Sequence, residues 1–419
     1  MKLVIRNARV VDPASGRDAP GELYIADGKL AEEFAKPDRV IDARGLVAAP
    51  GFIDISARLR EPGFEYKATL ESEMDAAVAG GVTSLACPPD TDPPLDEPGL
   101  VDMLRRRAKT LSRARVYPIG ALTVKLQGET LTEMAQLAEA GCIAFSQANV
   151  ALADTQVLWR ALQYAATFGF PVWLRVEDAA LARGGVSHDG EVATRLGLPG
   201  IPAFAETIAL ATLLELVRAT GAKLHVCRLS TAGAIELMRG AKREGLPVTC
   251  DVGIHHLHLC DMDIGYFDSN CRLEPPLRSQ RDRDALSKGL EDGTVDCVCS
   301  DHTPVDEDGK HMPFAEAEPG ATGLELLLPL TLKWGAARKL PLAATLARIT
   351  SLAARVLGVS SGRLAIGAPA DITLFDPAAT LRVVPEALKS QGKNTPFLGY
   401  ELAGKVRYTV VAGNVVYEA

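Results

Sequence analysis

The chain changes rhythm twice along its length. Near the N-terminus, apolar and polar residues form short runs broken by turn signals. Leu3–Val11 stops at Asp12-Pro13-Ala14-Ser15-Gly16, Gly21–Ala26 stops at Asp27-Gly28, and Val40–Ala43 follows. Short apolar runs bounded by Gly, Pro, Asn and Asp read as strands. The C-terminal end is similar, with Gly362-Arg363-Leu364, Asp371–Phe375 and Val406–Tyr417, the last interrupted by Ala412-Gly413-Asn414. Two strand-rich ends predict one small β-sandwich domain assembled from both termini, residues 1–49 and 360–419.

Residues 50–359 alternate differently. Strand-like runs fall at Gly51–Ser56, Thr83–Cys87, Arg115–Leu122, Cys142–Ser146, Pro171–Val176, Lys223–Leu229, Pro247–Val252 and Val295–Cys299. Helical patterns lie between them. Leu158, Ala161, Leu162 and Ala165 recur at i, i+3, i+4 and i+7 within Thr155–Phe168, and Leu210, Leu213, Leu214 and Val217 do so within Glu206–Val217. Eight strands, each followed by a helix or long loop, predict an α/β fold, a (β/α)₈ TIM barrel. No Gly-x-Gly-x-x-Gly follows the first strand, which argues against a doubly wound dinucleotide fold.

Composition narrows the function. A formal charge of −8 with only 5% aromatic residues carries no footprint for nucleic acid. No run of 18 apolar residues offers a membrane span, and Met1-Lys2-Leu3-Val4-Ile5-Arg6 reads as a strand rather than a signal peptide. Eight cysteines are too sparse for a disulfide scaffold; Cys87, Cys227, Cys250, Cys297 and Cys299 lie in apolar runs, as buried thiols of a cytoplasmic protein would. Histidine is scarce: seven residues, none among the first 187.

Ordered motifs run almost end to end. They begin with Pro50-Gly51-Phe52-Ile53-Asp54, Leu59-Arg60-Glu61-Pro62-Gly63, Ala79-Gly80-Gly81-Val82-Thr83 and Pro89-Asp90-Thr91-Asp92-Pro93. Leu196-Gly197-Leu198-Pro199-Gly200-Ile201-Pro202 with Glu206, Pro275-Pro276-Leu277-Arg278 and Ser300-Asp301-His302-Thr303-Pro304 follow. Gly323-Leu324-Glu325, Gly362-Arg363-Leu364 and Asn394-Thr395-Pro396-Phe397 complete the set. In these residues the chain resembles the dihydroorotases of the cyclic amidohydrolase superfamily. The resemblance implies the same barrel with a composite β-domain. It also implies a zinc centre that cyclises N-carbamoyl aspartate, built from a His-x-His after strand one, an acidic residue at strand four, single histidines at strands five and six, and an Asp at strand eight.

At those positions this chain departs from the pattern. His-x-His is replaced by Ser56-Ala57-Arg58, the strand-four signature reads Phe145-Ser146-Gln147-Ala148, strand five carries Arg175-Val176-Glu177-Asp178, and strand six carries Arg228. Only Asp301 remains as a relic of the catalytic set. Guanidinium has no lone pair to donate and stays charged, so the sequence predicts no zinc and no other cofactor. Arg60 keeps the family's carboxylate-binding position, whereas Asp90 and Glu274 place anions where a dianionic substrate would meet neutral donors.

Two readings of the arginines stay open. Arg58, Arg60, Arg175 and Arg228 either form an anion site or pair with Asp301, Glu177, Asp178, Asp90 and Glu274. The other donor cluster is His255-His256-Leu257-His258-Leu259-Cys260, where an extended backbone would put His256, His258 and Cys260 on one face. Cys297 and Cys299 are expected to be buried packing, and Asp301-His302 is a weak acid–base candidate without a nearby nucleophile. The loop from His302 to Gly320 is rich in Asp, Glu and Gly, and a mobile loop is one reading of it.

A scaffold kept while its chemistry is lost points to a retained surface. The resemblance includes inactive dihydroorotase-like chains that partner the aspartate transcarbamoylase catalytic chain, and it implies a non-catalytic assembly subunit, a homodimer by family analogy. The alternatives are an active amidohydrolase with a rebuilt site and a regulatory subunit that binds an anionic metabolite.

Overall fold

The computed structural model describes residues 2–419. Eight strands form the barrel: Phe52–Asp54, Val82–Cys87, Arg115–Pro118 continued by Gly120–Ala121, Phe145–Ser146, Val172–Leu174, Leu224–Val226, Val248–Gly253 and Cys297–Cys299. Every predicted run overlaps one of them, and two strands reach one residue past the predicted bounds, at Val82 and at Gly253. The third is split because Ile119 turns its N–H to Cys87 (2.9 Å): its first half pairs with the second strand and its second half with the fourth.

Neighbouring barrel strands pair in parallel from the first to the eighth. Closure between the eighth and the first is looser. Ala57 bridges His302, the Ile53 and Val298 amides turn to Ile349 and Arg348, and the buried Asp54 carboxylate takes the Ser300 amide at 2.9 Å together with its hydroxyl. Burial pushes the Asp54 carboxyl up to about 6 against the pull of those donors.

Helices cover the barrel where the periodicity placed them. Thr155–Phe168 starts at Asp154, whose carboxylate accepts the Gln156 amide (2.7 Å), and stops at Gly169 in a left-handed conformation. It buries Leu158, Ala161, Leu162 and Ala165, the four predicted positions. The second predicted helix is longer than its apolar stripe, running Phe204–Thr220 and burying Leu210, Leu213, Leu214 and Val217. None of the helices among the described residues is long and apolar enough to cross a membrane.

Both termini build one β-rich unit. Strands Leu3–Asp12, Arg17–Ala26, Lys29–Ala31, Arg39–Asp42 and Val47–Pro50 join Ile372–Arg382, Glu401–Val411 and Asn414–Glu418 in a single eight-stranded sheet. The join is antiparallel, Ile372 opposite Pro50 and Phe375 opposite Val47. The sandwich is thus one continuous sheet folded over its own core, which Leu3, Ile5, Ile25, Ile41, Ile372 and Val410 help to fill. Within the C-terminal stretch, Ser390, Gln391 and Asn394 cross back and bond to the barrel.

Candidate functional site

The C-terminal ends of parallel barrel strands converge on one mouth. Four non-glycine residues there take positive φ: Arg60 (61°), Ala148 (51°), Arg228 (55°) and Asp301 (47°). Each follows a different strand. Such left-handed turns are disfavoured for residues with a Cβ and concentrate where side chains must be aimed.

Three of the predicted arginines interlock. Arg58 donates from Nε to Asp90 (2.7 Å), from Nη1 to Asp301 (3.3 Å) and Thr303 Oγ1 (3.0 Å), and from Nη2 to Asn149 Oδ1 (3.0 Å). Arg228 reaches the same Asp301 oxygen (2.9 Å), the Glu274 carbonyl (3.3 Å) and Asn149 Oδ1. Arg175 donates to Glu177 (2.9 Å), Glu274 (2.8 Å) and the Asn149 carbonyl (3.0 Å). Asn149 closes the ring by donating to Glu274 (3.1 Å). All three arginine side chains are only 4% exposed.

Three buried cations thus face four carboxylates. On Arg58, Arg228 and Asp90 burial opposes charge, and the attraction of neighbours outweighs it. Asp90, penalised by burial but held by Arg58, stays below the usual carboxylate range; Arg58 and Arg228, facing Asp90 and Asp301, are raised. The net binds itself.

Two predicted members stand outside this net. Arg60 is 8% exposed, yet its Nε donates to the Pro304 carbonyl (2.8 Å) and its guanidinium lies over Phe64 (5.9 Å), without a carboxylate partner among the described residues. Burial and the nearby Arg58 charge lower its pKa. Asp178 points the other way: its carboxylate caps the turn that follows, accepting from the amides of Ala180 (3.0 Å) and Leu181 (2.9 Å).

The histidine cluster does not form an extended face. Ile254–Leu257 is a single 3₁₀ turn, which fans successive side chains around an axis instead of alternating them. His255 stacks on Phe397, His256 Nε2 meets the Pro275 carbonyl (3.0 Å), and His258 Nε2 meets the Leu330 carbonyl (2.9 Å). Burial drives the pKa of His255 and His258 down to about 4. His302 turns away from Asp301. Its Nδ1 accepts the Gly323 amide (3.1 Å), and its Nε2 meets buried Glu73, whose other partners include Ser390.

Residues with little sequence signal complete the site. Asn149 belongs to no motif, yet it touches all three net arginines. Deeper in the barrel, His225, Cys227 and Asp251 bring donor atoms within 4.8 Å of one another. They are already engaged: His225 bonds Thr249 and Asp251 (both 2.8 Å), and Asp251 also accepts from the Arg228 amide (2.9 Å) and the Cys299 thiol (3.3 Å). Cys297 and Cys299 are fully buried, and burial raises both thiols. Above the mouth, the His302–Gly320 loop includes a short helix, Glu307–Lys310, and is tied by a Lys67–Glu318 ion pair and by Lys310 Nζ to the carbonyls of Ser269 (3.0 Å) and Arg272 (3.3 Å).

The barrel, the β-unit and the strand-end site define an amidohydrolase-type architecture, and comparison gives the family. Residues 45–234 match the dihydro-orotase-like family and residues 246–417 the amidohydrolase family. A "dihydroorotase-like protein" of Pseudomonas aeruginosa is 45% identical, with 100% of both chains covered. A "dihydroorotase" of Geobacter sp. is 40% identical over 100% of both. Among solved structures, the L-hydantoinase (dihydropyrimidinase) of Arthrobacter aurescens superposes with a TM-score of 0.88 at 25% identity, covering 99% of this chain and 96% of that one. This chain belongs to the dihydroorotase-like amidohydrolases.

The zinc centre that this family implies does not fit the residues present. Ser56, Arg58, Gln147, Arg175 and Arg228 stand at five of the positions where the resemblance implies ligands. The amide of Gln147 is bonded to Thr123, and Asp301, the one carboxylate left, is held by Arg58 and Arg228. Three guanidiniums repel a divalent cation from the space where it would sit.

Proposed function

We propose that this chain is a non-catalytic dihydroorotase homologue that binds no zinc and serves as an assembly subunit for the aspartate transcarbamoylase catalytic chain in pyrimidine synthesis. The observation that carries the reading is the self-paired net of Arg58, Arg175 and Arg228 with Asp90, Asp301, Glu274 and Asn149. A hydrolytic site needs open coordination positions and an activated water, and this net occupies the strand ends with side chains that bind one another. A homodimer in the cytoplasm is part of the same reading.

Two measurements test it. Protein prepared without chelator is expected to carry no stoichiometric zinc and to turn over neither carbamoyl aspartate nor dihydroorotate, with or without added zinc. Mixed with the transcarbamoylase chain at micromolar concentration, it is expected to co-elute in size-exclusion chromatography. Zinc at one or two per chain with turnover would establish instead an active enzyme with a rebuilt site, a reading favoured by the 40%-identical relatives called dihydroorotase. Arg60, buried without a carboxylate partner, favours a third role, binding of an anionic metabolite, which a melting shift with carbamoyl aspartate would reveal.

A further inference from the structure

At the opposite end of the barrel from the mouth lies a groove of about 980 Å³, within the range of small-molecule sites. Helix Pro98–Leu111 forms one wall, the start of strand Arg115–Pro118 the floor, and the C-terminal hairpin around Ala412 and Asn414 the far side. From Arg105 to Arg115, six of eleven residues are Arg or Lys and none is acidic, in a chain whose net charge is −8.

Part of this charge is used internally. Arg107 pairs with Glu61, Arg113 with Asp75 (2.6 Å) and Arg115 with Asp371 (3.1 Å). Arg105, Arg106 and Lys109 are exposed, and among the described residues none has a carboxylate within 4.0 Å. Arg105 is nevertheless placed: its guanidinium donates to the Ala140 carbonyl and lies across Gly141, where any Cβ would collide with it. Between these cations and the hairpin the surface is apolar, made by Val116, Tyr117, Ile143, Val411 and Val416.

A rim of unpaired cations beside a concave apolar floor matches a ligand with a polyanionic end and a flat, weakly polar body. A bare polyphosphate would leave the floor uncovered. Duplex nucleic acid needs a broad basic face that this acidic chain lacks. We propose that the groove binds a nucleoside polyphosphate. Arg105, Arg106 and Lys109 take the phosphates through charge-assisted hydrogen bonds, the base lies against Tyr117 and Val416, and the Asn414 amide meets its polar edge.

The test is isothermal titration of the full chain with ATP, UTP and inorganic tripolyphosphate. At least one nucleotide is expected to bind at micromolar to submillimolar concentration and more tightly than tripolyphosphate. The double variant Arg106→Glu with Lys109→Glu should weaken it by at least about tenfold, the loss of two charge-assisted contacts, without lowering Tm. Arg60→Met, which alters the mouth instead, should leave the affinity unchanged. No binding at millimolar nucleotide, equal affinity for tripolyphosphate, or a loss that follows Arg60→Met rather than the double variant would each overturn the proposal.

Discussion

At the barrel mouth three guanidiniums are buried and meet four carboxylates of their own chain, whereas at the far end Arg105, Arg106 and Lys109 stand in solvent with none. The far-end cations are neighbours in the sequence whereas Arg58, Arg175 and Arg228 are brought together only by the fold, and solvation separates the roles of the two clusters. A buried cation away from counter-charge costs several kcal/mol, so these three arginines carry their own anions. An exposed cation is solvated by water and loses little by waiting for an external anion. Arg60 lies between these cases, buried but bonded only to a carbonyl and an aromatic face.

The comparison breaks most visibly at Asp301. Asp301→Asn removes the one charge shared by Arg58 and Arg228, and the folded state is expected to lose about 3–5 kcal/mol in urea denaturation, as for other severed buried pairs. A loss below about 1 kcal/mol would mean that water or an ion already screens the net.

A second test concerns Lys310, the buried cation that ties the loop over the mouth. Burial, aided by the charge of Arg272 and opposed by Glu318, Cys271 and Asp268, lowers its pKa to about 7 from the ordinary 10.5. Between those values the unfolded chain holds a proton that the folded chain lacks, so this group makes stability rise with pH from about 7 to about 10.5. The rise should be on the order of 5 kcal/mol and should vanish in Lys310→Met, measured as the difference between the two pH profiles.

Asn149→Ala should cost about 1–3 kcal/mol by leaving guanidinium donors of Arg58 and Arg228 unsatisfied. The smallest effect belongs to the far groove. Arg106→Glu with Lys109→Glu is expected to change stability by no more than about 0.5 kcal/mol, because neither side chain has an ion-pair partner to lose.

Much of this was legible in the chain. Apolar runs and helical stripes located all eight barrel strands, and Leu158, Ala161, Leu162 and Ala165 are buried as their spacing requires. Arg58, Arg175 and Arg228 were readable because they stand, within otherwise intact motifs, where the family resemblance implies metal ligands. Asn149 was not, since nothing in Ala148-Asn149-Val150 distinguishes a loop amide from one that bridges three arginines. The histidine run misled because its geometry depends on backbone curvature: a 3₁₀ turn sends neighbouring side chains to different partners. Asp178 looked like a counter-ion by its place beside Arg175, but its carboxylate serves the following turn.

The sequence by itself determined the barrel, the β-unit shared by both termini and the chemical identity of the groups at the strand ends, because periodicity and residue type are local properties. Which arginine meets which carboxylate was decided by tertiary structure. Arg58 and Asp301 are 243 positions apart, and only closure of the barrel, with left-handed turns at Arg228 and Asp301, brings them within bonding distance. The same closure buries those groups, and burial makes each charge require a partner.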